Sequence, residues 1–217
     1  MRLKNYILFT IILLTGVIAN AQLESGLLLG LTNATTADIN ATTDAATGSL
    51  VFNTDTNQVY VFDGTSWSQM GQKTTYTGTF RISGTGAVSV SGIPFQPSSV
   101  SFVAYANIED FDINADNGTR NNENGLPNAY GSMKGFARDD NGTITEQVIF
   151  NGGSGNSIND ISRYASSSHS IGLRYANQNG DNLGLTTATV TAFTSNGFTL
   201  NTDNYADGIV VIFEAHR

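Results

Sequence analysis

The apolar residues of this chain fall in short runs that alternate with polar ones, and the runs are separated by Asn-Gly, Asp-Gly and Gly-Gly pairs. A period of two puts apolar side chains on one face of an extended strand, and those glycine pairs are the turns that fold such strands back. The pattern predicts an antiparallel all-β protein. Cysteine is absent, so no disulfide can staple the chain, and its stability must come from core burial.

The first residues follow a different rule. Arg2 and Lys4 precede the apolar run Tyr6 to Ile18, broken only by Thr10, Thr15 and Gly16, and Ala19-Asn20-Ala21 follows. This is the layout of a cleavable secretory signal over residues 1–21, with small residues where signal peptidase must fit. The run is shorter than the ~20 residues that a membrane-spanning helix needs. Cleavage before Gln22 is the expectation, and with it a secreted or cell-surface location and no membrane span in the mature protein. Removing the leader leaves eight basic residues against eighteen acidic ones, a net charge of about −10. Such a balance repels phosphate backbones and anionic lipid heads, so no nucleic-acid partner is expected.

Two further regions separate by pattern, a small module at 22–75 and a larger one at 76–217. In the small module, Thr35 to Ala46 is polar and predicts one weak helix. Beyond it, Gly48 to Thr54 and Gln58 to Phe62 read as the two strands of a hairpin, with Asp63-Gly64 as a second turn before Trp67. Leu50 and Phe52 with Tyr60 and Phe62 are expected to form one hydrophobic stripe. A hairpin alone is marginal in water and must lean on something.

The string GSLVFNTDTNQVYVFDGTSW resembles a short module of exported Bacteroidetes-type proteins and phage tail-fibre-like proteins. Gly48, Phe52, Asn53, Thr54, Tyr60, Phe62, Asp63, Gly64 and Trp67 carry the resemblance, which implies a connecting or presenting role on an extracellular assembly.

The larger region has candidate strands at Tyr76–Ser83, Ala87–Ser91, Ser99–Tyr105, Ser132–Arg138, Thr143–Phe150, Ser170–Ala176, Thr187–Phe193, Gly197–Leu200 and Gly208–Ala215. About nine strands with turns between them predict a β-sandwich or jelly roll. Pro94 and Pro97 flank strands without entering them. The last strand is apolar on both faces, so it is expected to be central or to meet another subunit. Pro94-Phe95-x-Pro97-x-x-Val100-x-Phe102 and Ala188-x-Val190-x-x-Phe193-x-x-x-Gly197-Phe198-Thr199-Leu200 look like the framework of H-type lectin and tail-fibre receptor-binding sandwiches. That resemblance implies a small sandwich of a kind that is often trimeric and binds sugars at its surface.

Asp112, Asn114, Asp116 and Glu123 fall at positions 1, 3, 5 and 12 of a calcium-loop pattern, which makes calcium the one cofactor the sequence suggests. The competing reading is a solvated Asn/Asp turn. Catalytic signatures are weak. Ser168-His169 adjacency carries no geometry, because triad members meet in space, and Gly152-Gly153-Ser154-Gly155-Asn156 reads as a flexible loop. A glycoside hydrolase built from scattered acids stays open as an alternative, since such carboxylates have no local signature. Trp67, Tyr130, Tyr164 and Tyr175 lie among Asn, Gly and Ser and are candidate sugar-stacking rings. The sequence thus predicts a non-catalytic, lectin-like binding protein that recognises a glycan or surface component through the loops 107–131 and 151–169. The alternative is a structural subunit of an extracellular homotrimer or fibre.

Overall fold

The computed structural model describes residues 30–111, 126 and 128–217. The leader at 1–21 and the calcium candidates Asp112, Asn114, Asp116 and Glu123 lie outside them. The protein is all-β, its strands arranged in mainly antiparallel sheets with one short helix among the described residues, and it divides into two compact units between Gln72 and Lys73.

The first unit has the order β1 (Thr32–Ala34), α1 (Thr36–Ala41), β2 (Leu50–Asn53), β3 (Gln58–Phe62) and β4 (Trp67–Gln69). Its sheet runs β1-β2-β3-β4, with β1 parallel to β2 and the other pairs antiparallel. The helix starts at Thr35 through a capping box. The Asp38 N–H donates to the Thr35 hydroxyl at 3.2 Å, and the Thr35 N–H donates to the Asp38 carboxylate at 3.1 Å. Ile39 is the helix residue that is buried, as are Val51 and Phe62 of the sheet.

The Asn-Thr of the hairpin motif has a structural reason. Asn53 is fully buried, donates to the Thr36 hydroxyl at 3.0 Å and accepts the Asp55 N–H at 2.9 Å, so one amide ties the helix start to the turn. Asn57, at φ 55°, closes that turn in the left-handed region that asparagine tolerates.

The predicted stripe is corrected by the register. Asn53 pairs with Gln58 around the loop Thr54 to Asn57, so Leu50 faces Val61, Phe52 faces Val59 and Val51 faces Tyr60. Directly paired residues share a face, and a shift of one residue exchanges the faces. Leu50 and Phe52 therefore stand with Val59 and Val61, opposite Val51, Tyr60 and Phe62.

The second unit is a sandwich. One sheet has the order β10-β9-β8-β7-β14-β5, and the other β11-β12-β13-β6. In chain order the strands are β5 (Thr75–Ile82), β6 (Gly86–Ser91), β7 (Ser99–Tyr105), β8 (Ala129–Asp140), β9 (Thr143–Ser154), β10 (Ser157–Ser166), β11 (Ile171–Ala176), β12 (Asn182–Thr194), β13 (Gly197–Asn204) and β14 (Ile209–His216). Every pairing is antiparallel. Pro94 and Pro97 lie between β6 and β7. As the two-sided apolar pattern predicts, β14 is central, flanked by β7 and β5.

The core lies between the sheets. Phe80, Phe102 and Phe213 from the six-stranded sheet surround Phe198 from the other, at centroid distances of 6.0, 5.7 and 5.2 Å and steep interplanar angles. Such edge-to-face contacts between rings add to the area they bury. Ile171, Leu173, Val148, Val190 and Leu200 extend the core away from this cluster.

The segment 151–169 departs from expectation. It is no loop: β9 continues to Ser154 and pairs with β10. Glycine permits this, because a Cβ at Gly152 would stand 2.0 Å from the Tyr130 carbonyl oxygen of β8.

Candidate functional site

Three environments receive the tyrosines predicted as candidate sugar-stacking rings. Tyr175 is in the core at 1% exposure, where burial pushes its phenol far above the ordinary tyrosine range, so it has no face for a ligand. Its place on β11 follows from the inward alternation of Ile171, Leu173 and Tyr175. Tyr164, on β10, is half-buried against the core, and its hydroxyl reaches His169 Nδ1 at 3.4 Å. Tyr130 stands on the outer face of the six-stranded sheet and is half exposed. In the first unit, the Trp67 indole N–H donates to the Thr42 carbonyl at 2.8 Å and its ring leans on Phe62 at 5.2 Å. These contacts make Trp67 a fastener between α1's exit and β4.

The outer face of the six-stranded sheet holds what the single-residue predictions did not assemble. Tyr105 (50% exposed), Tyr130 (52%), Ile149 (61%) and Ile161 (54%) are far more open than their residue types usually are. Strand register brings them together: Tyr105 lies opposite Ser132, Ser132 opposite Asn151, and Asn151 opposite Arg163. One row over, Ile212 lies opposite Val103, Val103 opposite Lys134, and Lys134 opposite Ile149. Two open grooves cross this band. One, of about 580 Å³, is lined by Val103, Tyr105, Phe136, Gln147 and Ile149, and the other, of about 630 Å³, by Tyr105, Ile108, Tyr130, Asn151 and Ile161. A signal for the band existed in the sequence, since Phe102-Val103-Ala104-Tyr105 and Val210-Val211-Ile212-Phe213 are apolar on both faces of their strands.

A second constellation was invisible in the sequence. With its proton on Nε2, His169 donates to Asp203 at 2.9 Å, and Nδ1 accepts from the Ser166 hydroxyl at 2.8 Å. These are the groups of nucleophilic hydrolysis. Here Ser168 Oγ also approaches Nδ1 at 3.3 Å, and Ser166 Oγ accepts the Ser168 N–H at 3.2 Å. The hydroxyl is thus engaged by its own turn, and the cluster fastens the β10–β11 connection to β13. Partial burial raises the Asp203 carboxyl, but the Thr187 hydroxyl at 2.6 Å and His169 outweigh it and hold the group below the usual carboxylate range.

Glu146 bridges the two sheets by accepting the Val190 N–H at 2.6 Å. Burial raises its carboxyl above the ordinary range, against the lowering effect of that N–H, the Ser170 hydroxyl and His169. A carboxyl whose folded pKa is raised binds its proton more tightly in the native state, so this group's contribution to stability falls as pH rises from the unfolded value through the folded one. Glu146→Gln keeps an acceptor for Val190 and removes the charge. Thermal melts should place this variant above the wild type at pH 7, with the gain vanishing below pH ~4, where both carry a neutral side chain.

Among the described residues, no cluster of three or more metal-ligating His, Asp or Glu side chains occurs, and no helix is long and apolar enough to cross a membrane. Residues 18–85, about a third of the chain, match the family model described as a phage tail like trimerisation region. The matched segment includes the whole described first unit and runs through β5, an edge strand of the six-stranded sheet. No curated protein matches the chain, and no solved structure does.

Proposed function

We propose that this chain is a non-catalytic structural subunit of a homotrimeric, tail-fibre-like assembly outside the cytoplasm, in which the N-terminal unit gathers three copies. The observation that carries this reading is the match of residues 18–85 to a trimerisation region. The hairpin supplies a suitable surface: Leu50, Phe52, Val59 and Val61 stand together on the face opposite buried Val51 and Phe62, and none of the four is fully buried within one chain. An apolar face of this kind gains free energy when other copies remove it from water. Export would use the leader at 1–21, and mass spectrometry of the exported protein should find a terminus at Gln22.

Light scattering on the mature protein should give three times the protomer mass. Val59→Glu, which puts a charge on the apolar hairpin face, should shift the population to monomer. A wild-type monomer at micromolar concentration would refute the trimeric reading.

A second reading, glycan recognition, is favoured by the half-exposed rings of Tyr105 and Tyr130 beside Ser132 and Asn151 in one groove. Rings for the C–H faces of a sugar and amides for its hydroxyls are the chemistry required. Glycan-array binding that disappears in Tyr130→Ala would support it, and a clean array with folded protein would count against it.

A further inference from the structure

We infer that the outer face of the six-stranded sheet of the second unit is buried against another copy of this chain. The inference rests on the trimeric reading above and extends it from the N-terminal unit to the sandwich.

Four observations point to that occupant. The exposed band is rich in branched aliphatic side chains, with Ile149, Ile161 and Ile212 all close to half exposed or more. Isoleucine offers a sugar neither a flat ring nor a hydrogen bond, whereas a protein surface can pack around it. A contiguous exposed apolar patch rimmed by polar residues marks an interaction surface. The band also spans strands from β14 to β10, far wider than the groove at Tyr130 alone.

Charge narrows the partner. Lys134 and Arg163 lie within or beside the band, and among the described residues no carboxylate is within ion-pair reach of either. An acidic partner satisfies both, and this chain, with eighteen acidic residues against ten basic, is itself acidic. Finally, the match to the trimerisation region runs through β5, a strand of this same sheet.

The absence of cysteine allows a clean test. Single variants Ile149→Cys and Ile161→Cys place a thiol on the band, and Ser89→Cys places one on the exposed face of β6 in the opposite sheet. Each is made in the full mature chain, its mass measured by light scattering, and its labelling by a maleimide timed relative to the same variant in urea. Because both isoleucines are mostly exposed within one chain, their replacement leaves the core untouched.

The expected result is a trimer in which both band thiols label about tenfold or more slowly than the Ser89→Cys thiol, since a covered thiol cannot reach the reagent. Two band positions guard against one variant disturbing the contact. A trimer whose band thiols label as fast as the control overturns this inference alone, leaves the trimeric reading standing and frees the face for an outside ligand. A monomer overturns both.

Discussion

Phe198→Ala is expected to destabilise the sandwich by about 3–5 kcal/mol, read as a shift in its urea midpoint and a fall in melting temperature on the order of 10 °C. Phe198 is fully buried and is the ring from the four-stranded sheet that meets Phe80, Phe102 and Phe213 of the other. Truncation removes the apolar burial of one ring and leaves three others facing a hole. The β-strand backbones around it are fixed by pairing to β6 and β12, so little can collapse into the space. A loss under about 1 kcal/mol would mean that the two sheets do not close on this cluster.

Gly135→Ala is expected to cost about 3 kcal/mol or more, for the opposite reason. Gly135 lies on β8 between Phe102 and Val148, and a Cβ there would stand 1.9 Å from the Ser170 carbonyl oxygen at the start of β11. That atom is backbone, itself held where the Ser170 N–H donates to Ala188, so relief requires the sheets to part. Gly84→Ala is the control. Its Cβ would meet nothing within 4 Å and its φ is not positive, so its urea midpoint should stay within about 0.5 kcal/mol of wild type or rise slightly. Equal midpoints for the two alanine variants would contradict the close approach of β8 and β11.

Strands whose burial is carried by large apolar residues were legible in the sequence. Val100, Phe102 and Ala104 alternate with exposed or half-exposed neighbours in β7, and Ile209, Val211, Phe213 and Ala215 do so in β14. The end of β9 and all of β10 were not legible, because their inward positions besides Tyr164 include Gly152, Ser154 and Ser162. Such positions show no hydrophobic period: Gly152 is buried by close approach, and Ser162 by a hydrogen bond to the Arg174 carbonyl at 2.6 Å. The hairpin stripe failed on parity, since the four residues from Thr54 to Asn57 decide which side chains share a face.

The candidate surface divides in the same way. Tyr130 was found from its polar surroundings, while Tyr175, with equally polar neighbours in sequence, is core. Neighbours along a strand alternate faces, so local composition does not report where a ring points. The pairing of His169 with Asp203 spans 34 residues and the register of two sheets, and it left no local trace.

The sandwich begins and finishes on adjacent strands. Thr75 of β5 pairs with His216 of β14, and the Arg217 N–H donates to the Thr74 carbonyl at 3.0 Å. Tension between these two ends would therefore open the ladder like a zipper, one rung at a time and at low force, instead of shearing all rungs together. A pull transmitted only through the residue-73 side loads none of these rungs, so a sandwich hung from that side alone is mechanically idle however hard its anchor is stretched.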